Sequence, residues 1–402
     1  MGLLALTYCV ATAAAAHLLP YVPSSPDAVL QQVPSFTDPR VRNFDRLRER
    51  LNSDPHNLAL AVPLADAYID YGRATGDERY VGHGMAVVEP WLKLRPVPVP
   101  ALLVSATVLQ NRHFFRSSRA ELTALLERSP RNLQAWLTLA TVAMMQADYA
   151  GANDACVKVA QLGGDFMGTL CTAQLRSLTG HAGQAYALLT LIEHPGPIAP
   201  PAIKGYVEGL LADAAVRLGR NHAADRHFRA ALQWTPGDNF TLADYADFLL
   251  DRHEDLAVEK LLAGYQASDT SLLRIVFAEC ARHDARAARD VADMEARFVA
   301  LDQRGSRLYQ REHAEFVLYV LHEPRRALQL AEQNWSVQRS PKDMRILLEA
   351  ALAAHKPQAT QPVMAVLARS HLQDPAIAKL TNEAETALRN SPQVTARTFT
   401  TP

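Results

Sequence analysis

Histidine and carboxylate are the side chains through which this sequence could run metal or acid–base chemistry, and neither falls into a catalytic pattern. The chain carries 14 histidines. Neither the His-Glu-x-x-His helix motif of a hydrolytic zinc site nor the paired Cys-x-x-Cys of a structural one occurs in the sequence. His222 and His227 are five residues apart, which points them to different sides of a helix. His113, His181, His253, His283 and His322 stand at breaks between apolar runs, where a histidine interacts with a helix C-terminus. Leu162-Gly163-Gly164-Asp165 reads as a turn rather than a phosphate cradle, and no Gly-x-Ser-x-Gly nucleophile elbow occurs. These residues imply no catalytic constellation, no metal and no cofactor.

The acidic residues are better ordered. Asp244, Asp247 and Asp251 share one helix stripe by their spacing of three and four, and Asp213 precedes them. Such a stripe is either a solvated face or part of a binding face. The four cysteines are Cys9, Cys156, Cys171 and Cys280. They do not make a disulfide framework and read first as small buried apolar residues. Cys156 and Cys171 nonetheless fall on helices that pack directly, so a bond between them is conceivable in an oxidising compartment.

The elements that must position these groups are helices. Hydrophobic residues make up 49% and charged residues 21% of the 402, with aromatics at 7%; an Ala- and Leu-rich apolar set of this kind suits close-packed helices. A formal net charge of -1 supplies no global field toward nucleic acid or an anionic membrane. Residues 1–16 are apolar and end in small residues, like a secretory signal with a cut near Ala16. No Lys or Arg precedes the run, which leaves a short buried helix as the other reading. It is too short to span a bilayer, which takes about 20 apolar residues. The expected location is therefore exported, in the periplasm, or cytoplasmic if the segment is not a signal.

A helix-pair period organises the rest. Residues 17–38 form a Pro-rich leader, and 39–98 an atypical helical cap with Pro63 inside one helix. Units then begin near Val99, Leu133, Phe166, Gly205 and Asn239, at intervals of 34, 33, 39 and 34 residues. The long interval contains the insertion His194-Pro195-Gly196-Pro197-Ile198-Ala199-Pro200-Pro201. Each unit has a central turn: Arg112-His113, Ala147-Asp148, Gly180-His181, Gly219-Arg220 and Arg252-His253. Residues 266–390 continue as looser helical repeats, and 391–402 form a Ser/Thr/Pro-rich tail that reads as disordered.

One residue pattern recurs in these units. The Gly205 unit supplies Ala212, Ala224, Phe228, Ala231 and Pro236. The Leu133 unit supplies Trp136, Leu139, Ala140, Tyr149 and Ala152, and the Phe166 unit Ala173, Gly180, Ala185 and Leu189. The Val99 unit gives Ala106, Phe115, Leu122 and Pro130, with Ser118 where Ala is expected. The Asn239 unit keeps Tyr245, Ala246 and Leu262, with Val258 for Ala. Over residues 99–265 this resembles the tetratricopeptide repeat (TPR) family. The resemblance implies an all-α, right-handed superhelical solenoid of helix-turn-helix repeats, in which first helices line a concave groove. On that geometry the groove carries Gln110, Asn111, Gln134, Thr141, Gln174, Ser177, Tyr206, Asp213, Arg217, Asp247 and Asp251, with Met144 or Met145 as an adaptable apolar contact.

A polar groove of amides, hydroxyls and charges suits a protein or peptide partner. The expected function is a non-catalytic scaffold or adaptor. The alternatives are a docking arm for an all-α enzyme hidden in 266–390, or a structural subunit of an envelope assembly.

Overall fold

A computed structural model of the chain describes residues 39–192, 199–306 and 308–390. The apolar N-terminal run, the Pro-rich leader, most of the insertion after His194 and the tail lie outside them. Among the described residues all regular structure is helical. The helices are α1 (Pro39–Ser53), α2 (Leu58–Thr75), α3 (Glu78–Leu92), α4 (Val99–Asn111), α5 (Phe115–Arg128), α6 (Leu133–Met145), α7 (Tyr149–Leu178), α8 (Ala182–Leu191), α9 (Pro201–Arg217) and α10 (Asn221–Trp234). There follow α11 (Asn239–Leu250), α12 (Asp255–Leu261), α13 (Asp269–Ala281), α14 (Ala287–Gln303), α15 (Gln310–Tyr319), α16 (Pro324–Trp335), α17 (Pro341–Ala353), α18 (Gln361–Ser370) and α19 (Pro375–Asn390). Neighbours in sequence pack as hairpins, α2 on α3, α4 on α5, α9 on α10 and α15 on α16. The fold is an all-α, solenoid-type stack of helix pairs.

The packing follows from residue size. Ala106, Ala140, Ala173, Ala212 and Ala246 recur once per unit, and all are at most 1% exposed. An alanine there lets two helix backbones approach, and Phe115, Leu122, Leu189, Phe228 and Leu262, all buried, fill the space beside the crossing. Ser118 stands in the place of an alanine and is fully buried. Its hydroxyl donates to the Ala106 carbonyl at 2.8 Å, so the polar atom is satisfied inside the crossing. Side-chain caps start several helices: Asp148 accepts from the Gly151 N–H and Asp238 from the Thr241 N–H. One unit opens earlier than its sequence reading: α9 starts at Pro201 rather than near Gly205, because a proline is at home in a first turn.

Helix α7 contains a reversal at Gly164, whose φ of 73° and ψ of -175° are open to glycine. Two arms result, and Cys156 on the first is disulfide-bonded to Cys171 on the second, with Cα atoms 5.4 Å apart. The bond that the sequence left open is thus present, between two buried residues.

Contacts divide the chain into two compact units, Met1–Ala135 with Gly237–Arg304, and Trp136–Pro236 with Gly305–Pro402. Each is assembled from two separate stretches of chain, so stacking is not confined to sequence neighbours. In the first unit α2 meets α11. In the second, the Ala182 N–H donates to Gln373 Oε1 at 3.1 Å and the Arg339 N–H donates to the Met145 carbonyl at 2.7 Å.

The turns between helices use left-handed backbone. His113, His253, His283, His322, His355 and His371 all have φ between 52° and 60°. Histidine tolerates that region better than most residues with a Cβ, which accounts for histidines at hairpin turns. Gly180 fills the equivalent place at φ 74°. A Cβ there would lie 2.6 Å from the His371 carbonyl oxygen, whereas at Gly219, with φ 66°, the nearest atom is 4.0 Å away. Gly180→Ala is expected to lower stability by more than the ~1–2 kcal/mol of left-handed strain alone, and Gly219→Ala by about that strain. Urea denaturation of both variants checks this; equal losses would remove the close approach as a cause.

Candidate functional site

The eleven residues assigned to the groove fall in both units, and many are already engaged. Gln110 is half-buried and Gln134 exposed. Asn111 donates to the Thr107 carbonyl (2.7 Å) and Thr141 to the Leu137 carbonyl (3.1 Å), each within its own helix. Asp251 is exposed at the C-cap of α11. Met144 is core, at 2% exposure.

Asp247 is held from the neighbouring helix. Arg274 of α13 is 1% exposed and donates from Nε and Nη2 to the two Asp247 carboxylate oxygens, at 2.8 and 3.0 Å. Its Nη1 donates to the Thr270 carbonyl. A guanidinium taken this far from water is tolerable only with such a bidentate partner.

The second unit brings five of the assigned residues together on α9 and the second arm of α7. Tyr206 donates its hydroxyl to Gln174 Oε1 at 3.3 Å. Two turns further along α9, Asp213 accepts from Ser177 Oγ at 3.2 Å and from Arg217 at 2.8 and 3.0 Å. Arg217 is buried, and its Nη1 lies 3.7 Å from Asp374. Its pKa is raised: burial works against the charge, and Asp213 and then Asp374 outweigh it. The seven-residue separation of Tyr206 and Asp213 corresponds to a strip about 10 Å long. Its outer face is open, since Tyr206 is 47% exposed and the Asp213 side chain 45%.

One arrangement was not legible in the sequence. Glu208 of α9 and His227 of α10 are both buried, and Glu208 Oε2 lies 2.7 Å from His227 Nδ1. His227 Nε2 is 3.0 Å from the Tyr186 hydroxyl of α8, and Arg220 sits over the Tyr186 ring at 5.2 Å. A carboxylate, an imidazole and a phenol in line can orient a proton. Here all three groups satisfy one another between α8, α9 and α10, the way a buried polar tie does. The only signal was that His222 and His227 fall on different sides of α10; His222 is indeed exposed while His227 is not. Among the described residues no group of three His, Cys, Asp or Glu side chains is placed to hold a metal ion.

Comparison with protein-family models finds no match, and neither does comparison with curated proteins. Among solved structures the chain is similar to the human IFIT1 dimer with m7Gppp-AAAA, at 13% identity over 87% of this chain and 86% of that one, with a TM-score of 0.46. It is also similar to the P58(IPK) TPR domain, at 12% identity over 88% of this chain and 95% of that one, with a TM-score of 0.22. A third is Naa15/Naa10 bound to HypK-THB, at 14% identity over 88% of this chain and 65% of that one, with a TM-score of 0.26. Likeness at this level carries no argument about ligand or partner.

The ion pair makes Asp247 a structural residue first. Asp247→Ala is expected to cost about 3–5 kcal/mol by leaving Arg274 buried and uncompensated, while exposed Asp251→Ala should stay within ~0.5 kcal/mol. Equilibrium denaturation decides; a loss at Asp247 no larger than at Asp251 would contradict the assignment.

Proposed function

We propose that the protein is a non-catalytic scaffold that docks an extended polar segment of a protein partner on the strip formed by α9 and the second arm of α7. The observation that carries this reading is Tyr206, an aromatic ring nearly half exposed on a rigid helix with its hydroxyl fixed by Gln174. Tyrosine in that state offers contact area at little entropic cost, which is why it recurs among the residues that dominate binding. Asp213, half-exposed and already polarised by Arg217, gives the partner a carboxylate to donate to. The Gln174 amide can meet a peptide backbone. The helix-pair stack supports the reading as well, because preformed helices present such a strip without an ordering step.

The disulfide between Cys156 and Cys171 supports a working location in an oxidising compartment outside the cytoplasm, since such bonds persist there and are rare elsewhere. We place the protein in an envelope compartment, the periplasm, on that ground and on the apolar character of residues 1–16.

The test is affinity capture with the full chain and its Tyr206→Ala/Gln174→Ala variant, with helical circular dichroism and Tm recorded for both. A bound protein should be retained by the first and lost at least tenfold by the second, at matched Tm. Capture of the same set by both chains would exclude the strip as the docking face. Charge reversal at Asp213 or Asp247 is not a clean alternative, because each would oppose a buried arginine.

A further inference from the structure

The link between α18 and α19, residues 371–374, crosses the ends of both hairpins that carry the docking strip. At the α7–α8 turn, a Cβ on Gly180 would lie 2.6 Å from the His371 carbonyl oxygen, and Gln373 Oε1 accepts from the Ala182 N–H at 3.1 Å. Ala182 opens α8, whose own N-cap residue, His181, makes no side-chain cap bond. The cap of α8 is therefore supplied from 191 positions away.

At the α9–α10 turn, Asp374 Oδ2 lies 3.7 Å from Nη1 of Arg217, the last residue of α9. Pro375, the first residue of α19, stands 4.0 Å from where a Cβ on Gly219 would be. The same Asp374 caps α19, its Oδ1 accepting from the Ala376 and Ile377 N–H groups at 3.1 Å each. Ile377 is 3% exposed and α19 packs on α17, so the link is backed by a seated helix.

The two strip helices both end at this link, α7 at Leu178 and α9 at Arg217. Apolar packing joins them toward the Tyr206 end, where Leu170, Ala173, Val207 and Leu211 share one core cluster. At the other end a polar chain runs from Ser177 through Asp213 and Arg217 to Asp374. The link closes that chain.

We propose that the α18–α19 link is a clamp on the docking strip: by capping α8 and facing Arg217 it fixes the register between α9 and the second arm of α7, so the seating of α19 regulates docking. Gln373 and Asp374 are its positioning residues. The regulatory consequence rests on the strip reading above; the clamp itself does not. Docking and seating are linked equilibria, so a segment bound to the strip tightens the link by the factor with which the seated link tightens docking.

Amide hydrogen exchange on the full chain tests the clamp without a partner. Gln373→Ala removes the acceptor, whereas Gln373→Glu keeps one and places its charge at a helix N-terminus. Asp374→Asn keeps the α19 cap, because asparagine caps as well as aspartate, and removes the charge facing Arg217. Exchange should rise about fivefold or more at the first turn of α8 in Gln373→Ala and at the Arg217 end of α9 in Asp374→Asn. In both it should extend into residues 174–178, with α19 still protected and Gln373→Glu matching the unmodified chain. Acceleration confined to residues 182–185 in Gln373→Ala, or none in Asp374→Asn, would reduce the link to a local cap and overturn the clamp. Capture by the Tyr206→Ala/Gln174→Ala variant equal to that of the unmodified chain would remove the strip, and with it the regulatory consequence, while the exchange result would be unaffected.

Discussion

The helix pairs between residues 99 and 262 rest on one steric condition, that two helices cross at an alanine. Ala106, Ala140, Ala173, Ala212 and Ala246 occupy that crossing in five successive pairs, essentially without solvent. A Cβ is all the crossing admits. The larger apolar residues then have one place to go, beside it, and the hairpin geometry follows. In the pair that carries Ser118 on its second helix, facing Ala106 on the first, the hydroxyl donates to the Ala106 carbonyl. The condition constrains volume first and polarity second.

A second layer of the fold is ionic and joins what size alone would leave loose. Arg274 on Asp247, and Arg217 between Asp213 and Asp374, are guanidiniums withdrawn from water and balanced by carboxylates, Asp247 on another helix, Asp213 one turn back on the same helix and Asp374 on remote chain. Such pairs add little net stability but penalise every register in which they separate. They also consume the polar residues that a groove would otherwise present. In the second unit the outer side of the strip on α9 and the second arm of α7 stays open, with Tyr206 47% exposed and the Asp213 side chain 45%.

The repeats were legible because small and large residues return at a fixed interval, and burial at those positions follows from the crossing itself. Turn positions were legible too: Gly180, Gly219, His113 and His253 were marked by composition, and all take left-handed backbone. Less visible were the interactions between residues far apart in sequence. Nothing around Asp247 announces that Arg274, 27 positions on, will take both its oxygens, and nothing near Ala182 points to Gln373. The Glu208–His227–Tyr186 tie is hidden for the same reason, since its members lie on three helices. The disulfide stood between these cases. Spacing allowed it, and the reversal at Gly164 decided it by folding one arm of α7 back on the other.

The most direct test of this account is amide hydrogen exchange on Ala212→Leu, beside Gly209→Ala as a control on the same helix, where an added Cβ meets no atom within 4 Å. Overpacking a crossing costs about 1–3 kcal/mol, so exchange across α9 and α10 should accelerate on the order of tenfold or more in Ala212→Leu, whereas in Gly209→Ala it should not accelerate and should slow slightly, because alanine favours a helix interior over glycine by about 0.5–1 kcal/mol. Unchanged protection in Ala212→Leu would mean that the helices do not depend on an alanine at their crossing, and the account would fail at its base.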